Sequence, residues 1–169
     1  MAEPDQHERG RLAGPEPYTE QVPKAALTDA IQDYLKEIYK LSEESGPASV
    51  SALARSLGVS AASASAMVKK LAALGLADHQ PYGGIVLTPS GERVALEIIR
   101  HHRLLELYLA ETLGVHVDDV HDEADRLEHV LSEELEARID RALGFPTHDP
   151  HGDPIPDAQL RWPRSSAVG

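Results

Sequence analysis

The stretch VHDEADRLEHV at 120–130 constrains this chain more than any other. Wound as an α-helix at roughly 100° per residue, it places His121, Asp125, Glu128 and His129 within about 100° of arc. Val120, Ala124, Leu127 and Leu131 fall on a separate arc and read as core. One stripe is therefore apolar, and the next carries two carboxylates and two imidazoles. Those side chains are divalent-metal ligands of the harder nitrogen and oxygen type. A second pair, His102 and Glu106, stands four residues apart on an earlier expected helix, so a metal held between helices is the expectation.

Composition narrows the remainder. The 169 residues suffice for one ordinary domain or two small ones sharing an interface. Aromatics make up 4%, so the core must be built from Leu, Val, Ile and Ala, which favours helices. The absence of cysteine excludes disulfides, thiolate zinc sites and thiol catalysis. No run approaches the roughly 18–20 apolar residues of a membrane span, and residues 1–24 lack the apolar segment of a secretory signal. A cytoplasmic protein is expected. The net charge of −12 argues against a simple electrostatic DNA binder. The acid is uneven, however. Residues 28–87 hold five Lys/Arg against six acids, whereas 88–143 hold six Arg against fourteen acids.

Punctuation along the chain predicts mainly helical structure. Residues 1–26, with four prolines and no apolar period, read as a disordered tail. Thr28 or Asp29 caps a helix to about Ser42, with Ile31, Leu35, Ile38, Tyr39 and Leu41 inward. Ser49 caps a short helix over 50–57 that Gly58 ends, and Ser60 caps the next, over 61–74. Residues 76–79 and 85–87 read as strands joined by the turn Pro81-Tyr82-Gly83-Gly84. Thr88-Pro89 starts a long helix that Gly114 stops. Asp118 or Asp119 starts the ligand helix, to about Leu131, and Ser132 starts a last one with Leu135, Ile139 and Leu143 inward. After Phe145 the Pro- and Gly-rich stretch reads as irregular, a tail or linker over 147–169.

Residues 49–74 have the spacing of a helix-turn-helix, in which Ala54, Gly58 and Val59 permit a close crossing. The second helix opens with small residues suited to a major groove, among them Ser60, Ala62, Ser63 and Ser65. Lys69 and Lys70 follow at positions suited to phosphates, and the hairpin over 76–87 would be a wing. A helical hairpin that only packs is the alternative.

Taken together, DYLKEIY (33–39), the helix-turn-helix with Ser60, LTPSG (87–91), HRLLE (102–106), VHDEADRLEH (120–129) and HGDPIP (151–156) resemble the diphtheria toxin repressor family of metal-dependent regulators, including its manganese transport regulator branch. The resemblance spans about 28–156 and implies an N-terminal winged helix-turn-helix, expected here over 27–91, and a helical metal-binding and dimerisation domain, expected over 92–146. It also implies a homodimer that binds a double-stranded DNA operator when loaded with metal. By position it implies one metal site on Asp33, Asp125, Glu128 and His129, and a second on His102, Glu106 and His121.

Two departures carry chemistry. Iron-type members have Met and Cys where this chain has Asp33 and Asp125, and carboxylates favour a harder ion, so Mn²⁺ is expected, with Fe²⁺ as the alternative. Short manganese-type members have Glu at the position of Lys36, which cannot ligate while charged; neighbouring Glu37 points about 100° away. Longer members carry a third, SH3-like domain; the sequence ends soon after where its linker would begin, so either a two-domain member or a truncated one is expected. Dimerisation would use the long helix over 89–113 and its neighbours. No nucleophile–base pair or phosphate loop is present, so no enzyme activity is expected. A metal-independent winged-helix regulator sensing a small ligand and a di-metal carboxylate enzyme are the competing readings.

Overall fold

The computed structural model describes residues 22–164; the tail expected over 1–21 and the last residues, 165–169, lie outside the described part. Six helices and one hairpin follow in order. They are α1 (Asp29–Ser45), α2 (Val50–Leu57), α3 (Ala61–Ala73), β1 (Ala77–Gln80), β2 (Gly84–Leu87), α4 (Pro89–Leu113), α5 (Val120–Leu127) and α6 (Glu133–Ala142). The mainly helical winged helix-turn-helix with a helical second unit is the fold observed.

Local chemistry sets the boundaries. Thr28 Oγ1 accepts from the Ile31 amide at 3.3 Å, and Ser49, Ser60, Thr88 and Ser132 cap α2, α3, α4 and α6 in the same way. Gly58 adopts φ +65° at the end of α2, the left-handed turn that lets α3 fold back. Ala54 and Ala64 are buried on the two helices, but Val59, expected at the crossing, is 38% exposed. On α1, Ile31, Leu35 and Ile38 are fully buried. Each is worth about 1.5–3 kcal/mol of apolar transfer.

The wing pairs antiparallel from Ala77 opposite Leu87 to Gln80 opposite Gly84. Ala48, ahead of α2, adds a short bridge to Ile85, with hydrogen bonds of 2.8 and 3.3 Å, so β2 is paired on both its edges.

Helix α4 is the spine. Its N-terminal half contributes Val94, Ala95, Leu96 and Ile99 to a core shared with α1, α2, α3 and the wing. Its C-terminal half gives Leu104, Leu105 and Leu107 to a second core with Ala124, Ile139 and Ile155. One continuous helix thus serves both units and crosses the boundary expected at 91/92. Arg100, 2% exposed, donates to Glu136 (2.5 Å), Asp140 (2.9 Å) and the Pro156 carbonyl (2.8 Å), tying α6 and the C-terminal segment to the spine.

Several expectations are corrected. Residues 22–26 do not belong with a tail: Val22 is buried against the first core and Lys24–Ala26 forms a 3₁₀ turn. Helix α5 stops at Leu127, so Glu128 and His129 sit in the turn that follows rather than on the helix. Leu127 and Leu135, expected inward, are 39% and 49% exposed in the chain. The segment after Phe145 is irregular as expected but docked: Ile155 is 1% exposed, and Trp162 Nε1 donates to Tyr39 Oη at 3.0 Å.

The wing meets the spine at Gly91, where a Cβ would lie 1.9 Å from the Leu76 carbonyl oxygen. That oxygen also accepts from the Thr88 amide at 3.1 Å and cannot withdraw. Gly91→Ala should therefore cost about 3 kcal/mol, the upper end for overpacking, read as a lowered urea midpoint. An unchanged midpoint would show that this approach is not tight.

Candidate metal centre

Glu128 is the centre of the cluster. Its side chain has no exposed surface. Oε1 accepts from Lys36 Nζ at 2.5 Å, and Oε2 lies 2.5 Å from His102 Nδ1. Burial alone would push this carboxyl up, but the His102 hydrogen bond and the Lys36 charge outweigh it and hold Glu128 below the ordinary Glu range. Helix α1 delivers Asp33 and Lys36, α4 delivers His102 and Glu106 one turn apart, and α5 with its following turn delivers His121, Asp125, Glu128 and His129.

Four groups of potential ligands each bring their ligand atoms within 4.8 Å of one another. Asp33, Glu128 and His129 form one, His102, Glu106 and His121 a second, and His102, Asp125 and Glu128 a third. The fourth, Glu106, Asp149 and His151, recruits the C-terminal segment; there Asp149 Oδ1 accepts from the amides of His151 (2.8 Å) and Asp153 (2.9 Å). Six of the seven residues expected as ligands therefore group as the sequence places them. Asp125 is the exception. It groups with His102 and Glu128 rather than with Asp33 and His129, its oxygens lying 3.2 Å from His102 Nδ1, 3.4 Å from His121 Nε2 and 3.4 Å from Lys36 Nζ.

The donor set fits a hard divalent cation. His129 Nδ1 is 2.6 Å from Gln32 Oε1, so its proton belongs there, and Nε2 then faces the Asp33 carboxylate at 2.9 Å. Two acceptors at that distance call for a proton or a metal between them. Glu106, beneath His102 (3.0 Å) and His121 (3.1 Å), is held at about 2, the imidazoles overcoming the upward push of burial. His102 is raised above its ordinary 6.5, since Glu106 and Glu128 outweigh the burial that would lower it. Burial lifts Asp33 in spite of His129 and Lys36. Protons and one ammonium thus neutralise carboxylates that a metal could neutralise instead.

A supporting layer was not legible in the sequence. His101 Nδ1 lies 3.1 Å from the Glu128 carbonyl oxygen and Nε2 2.7 Å from Glu136, which Arg100 holds in turn. Gln32, His101, Asp149 and His151 were all missed as site residues. Only the DPH spacing at 149–151 offered a ligand signal. Glu37 turns away as expected and accepts from Ser56 on α2.

The residues expected to meet DNA lie on α3 and at its N-cap. Ala62, Ser63, Lys69 and Lys70 are exposed and Ser65 is half-buried; Ser60 is exposed, but its hydroxyl caps the helix and donates to Ser63 Oγ at 2.9 Å.

His101 and His102 both have raised values, from burial opposed and outweighed by carboxylate partners. Their contribution to stability is full below the ordinary 6.5 and is lost as pH rises through the raised folded values. In chelator, the melting temperature should fall as pH climbs from 6 through the neutral range. A flat profile would show that these imidazoles are not charged in the metal-free protein.

Residues 26–85 match the family described as "Iron dependent repressor, N-terminal DNA binding domain", and residues 88–157 the "Iron dependent repressor, metal binding and dimerisation domain". The chain is 37% identical over 130 residues to the diphtheria toxin repressor of Corynebacterium efficiens, covering 77% of this chain and 56% of that protein. It is 36% identical over 130 residues to the iron-dependent repressor IdeR of Mycobacterium tuberculosis H37Rv, again over 77% of this chain and 56% of the relative. The chain thus spans about half the length of these relatives. Among solved structures it is similar to a manganese-dependent transcriptional repressor in complex with manganese (50% identity, TM-score 0.74, 80% of this chain and 63% of that one). It is also similar to the manganese regulator SloR (36% identity, TM-score 0.65, 76% and 63%). With both domains matched in order across most of its length, the chain belongs to the iron-dependent repressor family.

Proposed function

We propose that this protein is a manganese-responsive transcriptional repressor, a cytoplasmic homodimer whose metal centre sets the pose of its DNA-reading helix, and that it is not an enzyme. One observation carries the reading. The buried Glu128 turn and Asp33 of α1 share a cluster, so the helix that leads into the DNA-reading unit supplies a ligand to a centre otherwise built on α4, α5 and the turn after it. No helix among the described residues is long and apolar enough to cross a membrane.

In this reading Asp33, Glu128 and His129 hold one ion, and His102, Glu106 and His121 hold a second, with Asp125 between them. When bound, the ion supplies the positive charge that lets these carboxylates stay together without protons. Asp33 then fixes α1 against the 128–129 turn, and α1 carries α2 and α3 with it through the shared core. In α3, Ser60, Ala62, Ser63 and Ser65 face the major groove while Lys69 and Lys70 take phosphates. Small hydroxyl side chains discriminate bases weakly, so part of the specificity comes from DNA shape. Helix α4 and its neighbours provide the dimer contact, as the matched dimerisation domain supports.

The carboxylates Asp33 and Asp125 support manganese, as does the manganese-bound state of one similar repressor. Iron stands as the second reading, because several relatives are described as iron-dependent.

A labelled promoter fragment of a metal transporter, titrated in chelator and then in Mn²⁺ or Fe²⁺, tests this directly. Binding should require metal and appear at lower free Mn²⁺ than Fe²⁺. His129→Ala should remove the metal response while the far-ultraviolet circular dichroism stays helical. Lys70→Ala should weaken all sequences alike and lower the salt dependence by about one unit of slope. Binding that ignores chelator would overturn the switch and favour a small-ligand regulator.

A further inference from the structure

We propose that Lys36 is an internal cation that competes with metal for Glu128 and thereby sets the metal concentration at which the centre fills. This rests on the metal-centre reading above. The Lys36 side chain is only 10% exposed, and its ammonium donates to Glu128 Oε1 at 2.5 Å. That same oxygen lies 3.6 Å from His129 Nε2, on the side of Glu128 that faces the Asp33–Glu128–His129 group. Metal and ammonium therefore need one oxygen.

A buried carboxylate without a partner cation is strongly disfavoured. Without metal, Lys36 supplies that partner and holds α1 against the turn after α5. With metal, two positive charges would crowd one carboxylate, so the ammonium must give way. Asp125 provides its alternative. Its Oδ1 already lies 3.4 Å from Nζ, and its side chain is 45% exposed, so the ammonium can shift towards it while remaining partly solvated. The exchange lowers net metal affinity, because each ion displaces a charged hydrogen bond.

The test is calorimetric titration of Mn²⁺ into the full chain after chelator dialysis, with melting curves in chelator. Lys36→Met should bind Mn²⁺ about tenfold more tightly, since the displaced interaction is a charge-assisted hydrogen bond. It should also melt lower than the wild type in chelator, where Glu128 keeps His102 on Oε2 but has lost the ammonium on Oε1. Lys36→Arg, which keeps the charge, should retain the wild-type affinity. If Lys36→Met does not fold without metal, Lys36→Gln gives the same comparison with a polar group retained. Unchanged or weaker binding by the uncharged variants would overturn the proposal, because a merely structural lysine shifts melting without tightening metal. A wild-type chain that takes up no Mn²⁺ would overturn the metal-centre reading itself.

Discussion

A fully buried carboxylate must find positive charge, and in this protein that demand falls on Glu128. Its two oxygens face opposite ways, one to Lys36 of α1 and one to His102 of α4. Three parts of the chain distant in sequence are thereby drawn to one point. No apolar contact could do this switchably, since hydrophobic packing does not depend on what ion is present. An ionic cluster can, because its stability changes with whatever cation fills it.

The scaffold makes that cluster consequential. Helix α4 runs through both cores, so the second unit and the DNA-reading unit share one helix. The 128–129 turn is braced from behind by His101, Glu136 and Arg100. Against this fixed side, α1 is the element whose hold on the centre depends on Asp33 and Lys36. A ligand changes an equilibrium only by its preference for one state over the other. Asp33 gives such a preference a structural form, because it joins the cluster from the helix that carries α2 and α3.

Much of this was legible in the sequence because local rules decided it. Ser49, Ser60 and Thr88 cap their helices, and Pro89 and Gly114 bound α4 as expected. The stripe at 120–129 marked the ligand candidates that the structure gathers, since carboxylates and imidazoles on one face are unusual beside an apolar arc. What failed was decided by tertiary contact. Helical spacing places Leu127 inward, but α5 ends there and the next residues turn. Leu135 lies in the first turn of α6, at the solvent edge of the chain. Asp125 was grouped with Asp33 by resemblance, while in three dimensions it leans towards His102. Lys36 read as a departure from a ligand pattern; that its ammonium would fill the cluster needed the distance from α1 to Glu128. Val22 and Ile155 are single apolar residues in polar or Pro-rich surroundings, too isolated for periodicity to place them in a core.

The central claim is that occupation of the metal centre and DNA binding are one equilibrium, and linkage then requires them to act on each other equally. The most direct measurement is the Mn²⁺ affinity of the chain with and without saturating operator DNA, set against its DNA affinity with and without saturating Mn²⁺. The account predicts that DNA tightens Mn²⁺ binding by the same factor by which Mn²⁺ tightens DNA binding, and that the factor is well above one. A Mn²⁺ affinity indifferent to DNA would contradict it and leave the cluster a purely structural feature of the fold.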